Sequence, residues 1–320
     1  MSEDPRSARA LGVLLALGCV WGSSFLFIEV LVDETGPMEV ATGRLAIGAA
    51  AILGFVALRR LRMRWSLSVI ASACVLAVLA NVLPFALIAW GQQHIESGTA
   101  SVLNSTMPIF TSLFAAVLLT EERFTRARLA GLVLAFLGVV ALTGKDVVDI
   151  TESSVLGQFA VIGAAACYGM GSVFSRRLLR TTDPLSLSAL QVAAGTVLSL
   201  PILFAVSGTP DYGLSLEAYL SLLALGAGST GIAYVAYLWL IDVLGSVRAS
   251  LVTYIIPIVG LFLGWAVLHE GIGVNTLLGS ALIIGGVAMV LRERTPVSEP
   301  MRRAEGVESS GEKRAASYNL

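Results

Sequence analysis

Ten stretches of nearly unbroken apolar residues, separated by short polar turns, dominate this chain: 9–30, 37–58, 68–91, 97–119, 127–144, 155–176, 184–206, 216–240, 246–268 and 274–291. Crossing a hydrocarbon layer of about 30 Å as an α-helix takes roughly 20 residues, which is the length of these runs. The runs are continuously apolar and lack the alternation of barrel strands, so transmembrane β-structure is excluded. The pattern predicts an all-α integral membrane protein with ten transmembrane helices. From Thr295 onward the chain turns polar and mixed in charge, as a disordered tail does.

The second five spans repeat the first five. SGTASVLNSTMPIF, beginning at Ser97, aligns without a gap on SVRASLVTYIIPIV, beginning at Ser246. The register sets Ala100 on Ala249, Pro108 on Pro257, Glu121 on Glu270 and Trp90 on Trp239. An odd number of spans per repeat turns the second copy upside down in the bilayer. Inverted repeats of this kind are a recurrent architecture of secondary transporters. The expected division is a first five-helix repeat over 1–144, a loop over 145–154, a second repeat over 155–292 and a cytoplasmic tail over 293–320.

Composition narrows the class. Of 320 residues, 56% are hydrophobic and 13% charged, and the mean hydropathy is +0.83; a soluble domain could not bury that much apolar surface. A net charge of −1 gives no basic field for nucleic acid. The three cysteines, Cys19, Cys74 and Cys167, lack metal-ligand spacing and read as small packing residues. The N-terminus shows no cleavage site before further spans and is read as retained. With the N-terminus inside, every Lys and Arg except Arg44 and Lys145 falls on the inner side, while outer turns carry Asp33, Glu34, Glu96, Asp146, Asp149 and Asp211. The positive-inside rule therefore places both termini in the cytoplasm of a plasma or inner membrane.

Several motifs then carry a family resemblance. They are Trp21-Gly22-Ser23-Ser24-Phe25 in the first span, Pro37 followed by Arg44 in the second, Pro108 with Glu121 across the fourth, and Pro257 with Glu270 repeating that pattern in the ninth. In this order, on ten spans with an internal repeat, the chain resembles the EamA-type transporters of the drug/metabolite transporter superfamily. The resemblance covers residues 10–292. It implies two inverted repeats, a central cavity, alternating access, and transport, frequently outward, of small metabolites such as amino acids, sugars or amphipathic toxic compounds.

Polar and aromatic residues at membrane depth outline a substrate cavity: Trp21, Phe25, Asn81, Asn104, Tyr168, Tyr234, Tyr237 and Tyr254, with Thr253 beside the last. Arg44 lies about 10 Å inside the end of its span, where a charge costs about 2.5–3.5 kcal/mol and needs a partner or water. Four roles are open to it: pairing with Glu29, capping carbonyls, holding an anionic substrate group, or forming part of an outer gate. Aligning Pro37 with Pro184 sets Gln191 opposite Arg44, so the second repeat keeps polarity there and loses charge. Pro84, Pro108, Pro201 and Pro257 interrupt spans and are hinge candidates, with a fixed bend as the other reading. Glu121 and Glu270 read as caps or loop anchors.

Other signals carry no chemistry. Gly226-Ala227-Gly228-Ser229-Thr230-Gly231 fits a dinucleotide fingerprint, but it lies inside an apolar span with no strand before it; its glycines suit close helix approach. No P-loop lysine motif points to ATP, and His94 and His269 do not cluster as ligands, so no cofactor and no metal are expected. A convergent nucleophile–base set is also missing, which weighs against a membrane-embedded enzyme; a passive scaffold or channel has no use for four span prolines and an inverted repeat. The expected function is transport of a small organic solute, amino-acid-like or amphipathic and exported, by alternating access. The expected partners are that solute and the lipid bilayer, and a homodimer is compatible with the sequence.

Overall fold

The structure, a computed structural model, describes residues 5–63, 66–118, 126–143, 153–210 and 212–292. The expectations for Glu121, for most of the 145–154 loop and for the tail fall outside these residues. Ten helical passes follow one another: α1 (Pro5–Val32), α2 (Pro37–Leu58), α3 (Leu67–Gln92), α4 (Ser97–Leu118), α5 (Arg126–Thr143), α6 (Ser153–Leu178), α7 (Pro184–Ser207), α8 (Leu216–Leu244), α9 (Ser246–Val267) and α10 (Val274–Arg292). Among the described residues, eight are long and apolar enough to cross a membrane, and the other two, α5 and α10, have shorter apolar stretches, Leu129–Leu142 and Val274–Met289.

Those two short helices occupy equivalent places in the repeats and pack against each other. Their contact is built from glycine on carbonyl. A methyl group added to Gly138 would sit 2.9 Å from the Gly279 carbonyl, and one added to Gly279 would sit 2.8 Å from the Gly138 carbonyl. A methyl group added to Gly286 would likewise meet the Gly131 carbonyl. Small residues substitute for a hydrophobic drive that lipid does not supply, because they let backbones approach until dispersion contacts form. Gly279→Val therefore overpacks rigid backbone, and a loss of about 1–3 kcal/mol is expected. Thermal melts in detergent check this, with Gly54→Ala, which would meet nothing within 4 Å, expected to behave as wild type.

Helices α3 and α8 are not uniform. Each contains a π-helical stretch, Val78–Val82 in α3 and Ala224–Ile232 in α8, at matching positions of the two repeats. A π-helical turn widens the helix and leaves backbone groups out of register with the α pattern, commonly at functional sites. Spans α4 and α9 also break at matching places. A turn after Asn104 precedes the second half of α4, Met107–Leu118, and a 3-10 segment, Ser250–Tyr254, precedes Ile255–Val267 in α9. Pro108 and Pro257 begin those second halves, and Pro84 follows the π-turn of α3; Pro201 alone lies inside an unbroken helix. The outer faces expose large apolar side chains, among them Leu11, Leu58, Leu220, Ile258 and Phe262. Cys19 is exposed and Cys74 and Cys167 are half-buried, so Cys19 is not the packing residue that the sequence suggested.

Candidate functional site

Between the repeats lies a cavity with about 710 Å³ of empty space, its open mouth included. Its walls come from α1–α4 and α6–α9 and not from the short helices. Nearly every wall residue has its repeat counterpart on the opposite wall: Trp21 with Tyr168, Ser24 with Gly171, Phe25 with Ser172, Ile28 with Ser175, Arg44 with Gln191, Phe85 with Tyr234, Ile88 with Tyr237, Asn104 with Thr253, and Met107 with Ile256. The spacing is 147 residues in the first two helices of each repeat and 149 in the next two. The cavity is thus the place where the internal duplication meets itself.

The pairs are not chemically alike. The first repeat contributes Phe25, Ile28, Phe85, Ile88 and Met107, together with the one cation, Arg44. The second answers those positions with hydroxyls and an amide, Ser172, Ser175, Tyr234, Tyr237 and Gln191, and with Ile256 opposite Met107. The other pairs, Trp21 with Tyr168, Ser24 with Gly171 and Asn104 with Thr253, carry polar atoms on one wall or both. Among the described residues the wall has no Asp, Glu, Lys or His. The aromatic rings meet edge to face: Trp21 and Tyr237 have centroids 4.9 Å apart, and Phe85 lies 6.3 Å from Tyr234 and 6.4 Å from Tyr168.

Two hydrogen bonds tie these rings to the π-helical stretches of the opposite repeat. Tyr234 Oη donates to the Ala80 carbonyl at 2.5 Å, and Trp21 Nε1 donates to the Ser229 carbonyl at 2.9 Å. Ala80 and Ser229 are themselves repeat counterparts. In an α pattern the Ala80 carbonyl would take its bond from residue 84, which is proline and has no N–H. The Ala233 N–H that would serve Ser229 goes to Gly228 instead. Each ring therefore supplies a donor where the helix has withdrawn one. Tyr234→Phe is expected to cost about 1–2 kcal/mol by leaving the Ala80 carbonyl without that donor, read as a lower melting temperature with the ring still in place.

Arg44 is 4% exposed. Its Nε donates to Thr230 Oγ1 at 3.1 Å, and its guanidinium carbon lies 3.7 Å over the Phe85 ring centroid. Close packing brings it there: Gly48 of α2 would place a methyl group 3.0 Å from the Gly226 carbonyl of α8. Gly226 and Gly231 thus serve helix approach, while Gly228 meets open space. The expected pairing with Glu29 does not form. Glu29 Oε2 accepts from Gln92 Nε2 at 2.7 Å, and Gln92 also donates to the Phe25 carbonyl at 2.9 Å. Among the described residues no carboxylate pairs with Arg44.

Of the residues expected at the cavity, Trp21, Phe25, Arg44, Asn104, Tyr168, Gln191, Tyr234 and Tyr237 line it, and Asn81 and Tyr254 do not. Asn81 is fully buried. The π-turn that points Ala80 at the cavity rotates Asn81 onto α7, beside Gly195. Tyr254 ends a 3-10 segment, whose tighter turn brings Thr253 to the wall and carries Tyr254 off it. Phe85, Ser172 and Ser175 were missed, because a Phe or Ser within an apolar run is not distinctive. The repeat register would have found Phe85 from Tyr234 and Ser172 from Phe25, whereas Ser175 answers Ile28, which carried no signal of its own.

Bonds between repeats tie together the end of the bundle that carries the acidic turns. Glu270, in the turn after α9, accepts from the backbone N–H groups of Ser97 at 2.8 Å and Gly98 at 2.9 Å, at the start of α4. Glu34 accepts from Ser215 N–H at 2.8 Å and Ser215 Oγ at 2.6 Å, and these bonds hold its carboxyl below the usual range. Glu96 is pushed the other way, first by burial and then by the charge of Glu270. At the opposite, basic end, Arg9 lies 5.4 Å over the Trp239 ring and Arg177 reaches the Leu118 carbonyl.

Two five-helix repeats enclosing a shared central cavity define a multi-pass membrane transporter rather than an enzyme. The chain belongs to the EamA-like transporter family, which it matches over residues 9–144 and 155–292. It is 30% identical to a probable terminal-alkyne amino-acid exporter of Streptantibioticus cattleyicolor, over 92% of this chain and 99% of that one. It is 28% identical to the uncharacterized transporter YoaV of Bacillus subtilis, over 86% and 94% of the two chains. It is 23% identical to the uncharacterized inner membrane transporter YedA of Escherichia coli, over 87% and 89%. A solved crystal structure shares the fold with a TM-score of 0.65 at 21% identity, covering 88% of this chain and 97% of its own.

Proposed function

We propose that this protein exports a small amphipathic organic solute from the cytoplasm by alternating access, with both termini inside. The observation that carries this reading is the cavity wall itself, shared between the inverted repeats, counterpart by counterpart. Exchanging the conformations of two such repeats opens one site to either side in turn. The breaks at Pro84, Pro108 and Pro257 and the two π-helical stretches lie beside that site and are the bending points, with Pro201 as a fixed bend. The basic turns face the cytoplasm, so the end tied together by Glu270 and Glu34 is the external one. A relative named as a probable amino-acid exporter supports the direction and the size of the cargo.

The test compares metabolites in cells and medium, with the protein overexpressed, absent, or carrying Arg44→Gln. A solute depleted in cells and enriched in medium only with the intact protein is the expected result. Accumulation inside cells would reverse the direction. A solute chemically altered instead of relocated would replace transport with catalysis.

A further inference from the structure

The break in symmetry at the cavity names the cargo's chemistry. Five first-repeat positions, Phe25, Ile28, Phe85, Ile88 and the cation Arg44, face hydroxyls or an amide in the second repeat, while Ser24 and Asn104 keep polar atoms on the first wall as well. Arg44 has no counter-ion among the described residues, and the cavity wall holds no acid to supply one. A lone guanidinium at this depth attracts an anion far more strongly than it would in water, because the surroundings screen little. Its repeat counterpart, Gln191, is 1% exposed, and both its amide oxygen and its amide nitrogen lack hydrogen-bond partners. A buried amide with neither atom paired is rare in a settled core. Here it lines the cavity, where a ligand can meet both needs. The Asn104 amide oxygen, on the first-repeat wall, is also unpartnered.

We propose that the cavity takes an amphipathic organic monoanion, with its carboxylate on Arg44, its apolar body against Phe25, Ile28 and Phe85, and a hydrogen-bonding group on Gln191. This deepens the transport reading and rests on it. A single negative charge neutralises the wall. An ammonium group would find neutral acceptors and aromatic faces but no counter-charge, and Arg44 is a like charge, so zwitterions and cations fit less well than a monoanion. A neutral solute would leave the guanidinium unpaired. The arrangement thus separates N-acylated amino acids and similar carboxylates from free amino acids by charge rather than by shape.

Four probes with one aromatic body test it: N-acetylphenylalanine (anion), N-acetylphenylalaninamide (neutral), phenylalanine (zwitterion) and phenylalaninamide (cation). Each is added to the purified wild-type protein and to Arg44→Gln and Arg44→Lys, and melting temperatures are read with and without probe. The anion is expected to stabilise wild type with an apparent affinity at least about tenfold tighter than the neutral amide. Arg44→Gln should erase that preference and Arg44→Lys should keep part of it; the unliganded melts show that both variants fold. Equal stabilisation by the neutral amide overturns the proposal, as does no stabilisation by the anion, or an anion response that survives in Arg44→Gln. Vesicle flux keeps the two readings apart. Protein-dependent movement of the neutral or cationic probe alone removes the anion class and leaves the transporter. Binding of the anion with no protein-dependent flux of any probe keeps the anion site and removes transport.

Discussion

Arg44→Gln is expected to lower transport by about 30-fold to 1000-fold while leaving the unliganded protein at least as heat-stable as wild type. The two effects run in opposite directions for one reason. The wild-type chain holds a cation beneath a protein surface, 4% exposed, against Phe85 and Thr230 and without a carboxylate. Keeping a charge at membrane depth costs about 2.5–3.5 kcal/mol, and glutamine removes that cost while it can still donate toward Thr230. What it cannot do is neutralise an incoming anion. Losing one partner of a desolvated charge pair costs about 2–4 kcal/mol, which sets the loss of transport. A structural arginine would give the reverse pattern, with lower stability and transport falling only in step with the amount of folded protein. Melting temperature, membrane abundance and flux per molecule, measured together, separate the two.

Glu270→Gln is expected to destabilise the protein by about 2–4 kcal/mol, although it removes only a charge. Both carboxylate oxygens of Glu270 accept backbone N–H groups at the start of α4, from Ser97 and Gly98. The first N–H groups of a helix have no partner within it, and a carboxylate there also meets the positive end of the helix dipole. A glutamine amide keeps one acceptor and turns the other into a donor that faces an N–H. It therefore loses one charge-assisted bond and weakens the second. Glu270→Asp, shorter by one methylene, should not rescue, because the reach from the α9–α10 turn is fixed. Since this contact joins the repeats at the acidic end, the variant should also expose that end. Cysteines placed near Ser97 should then react faster with a membrane-impermeant thiol reagent than they do in the parent protein.

Much of this molecule was legible in the sequence because a membrane span leaves a plain physical mark: about twenty mostly apolar residues with few charges among them. The helices α5 and α10 were legible in the same way, but their apolar runs did not show that they meet each other through glycine contacts. The repeat register was the more powerful signal. It pointed to Gln191 from Arg44 alone, and applied to every expected cavity residue it would have found Phe85 and Ser172 as well. Local helix geometry stayed hidden. A π-turn shifts which face a residue occupies, so Asn81 went to the packing side while Ala80 reached the cavity. A 3-10 turn did the same to Tyr254 and Thr253. Pairing was also illegible: Glu29 and Arg44 shared a depth, but the Gln92 amide reached Glu29 first.

Efflux of N-acetylphenylalanine from proteoliposomes holding an inside-negative potassium diffusion potential tests most directly that this cavity carries a solute. An exported monoanion moves with the field, which contributes about 2.3 kcal/mol per 100 mV. The expected result is efflux that requires the wild-type protein, quickens as the potential is raised and is absent with Arg44→Gln. Efflux no faster than from protein-free vesicles, or equal in wild type and Arg44→Gln, would contradict it.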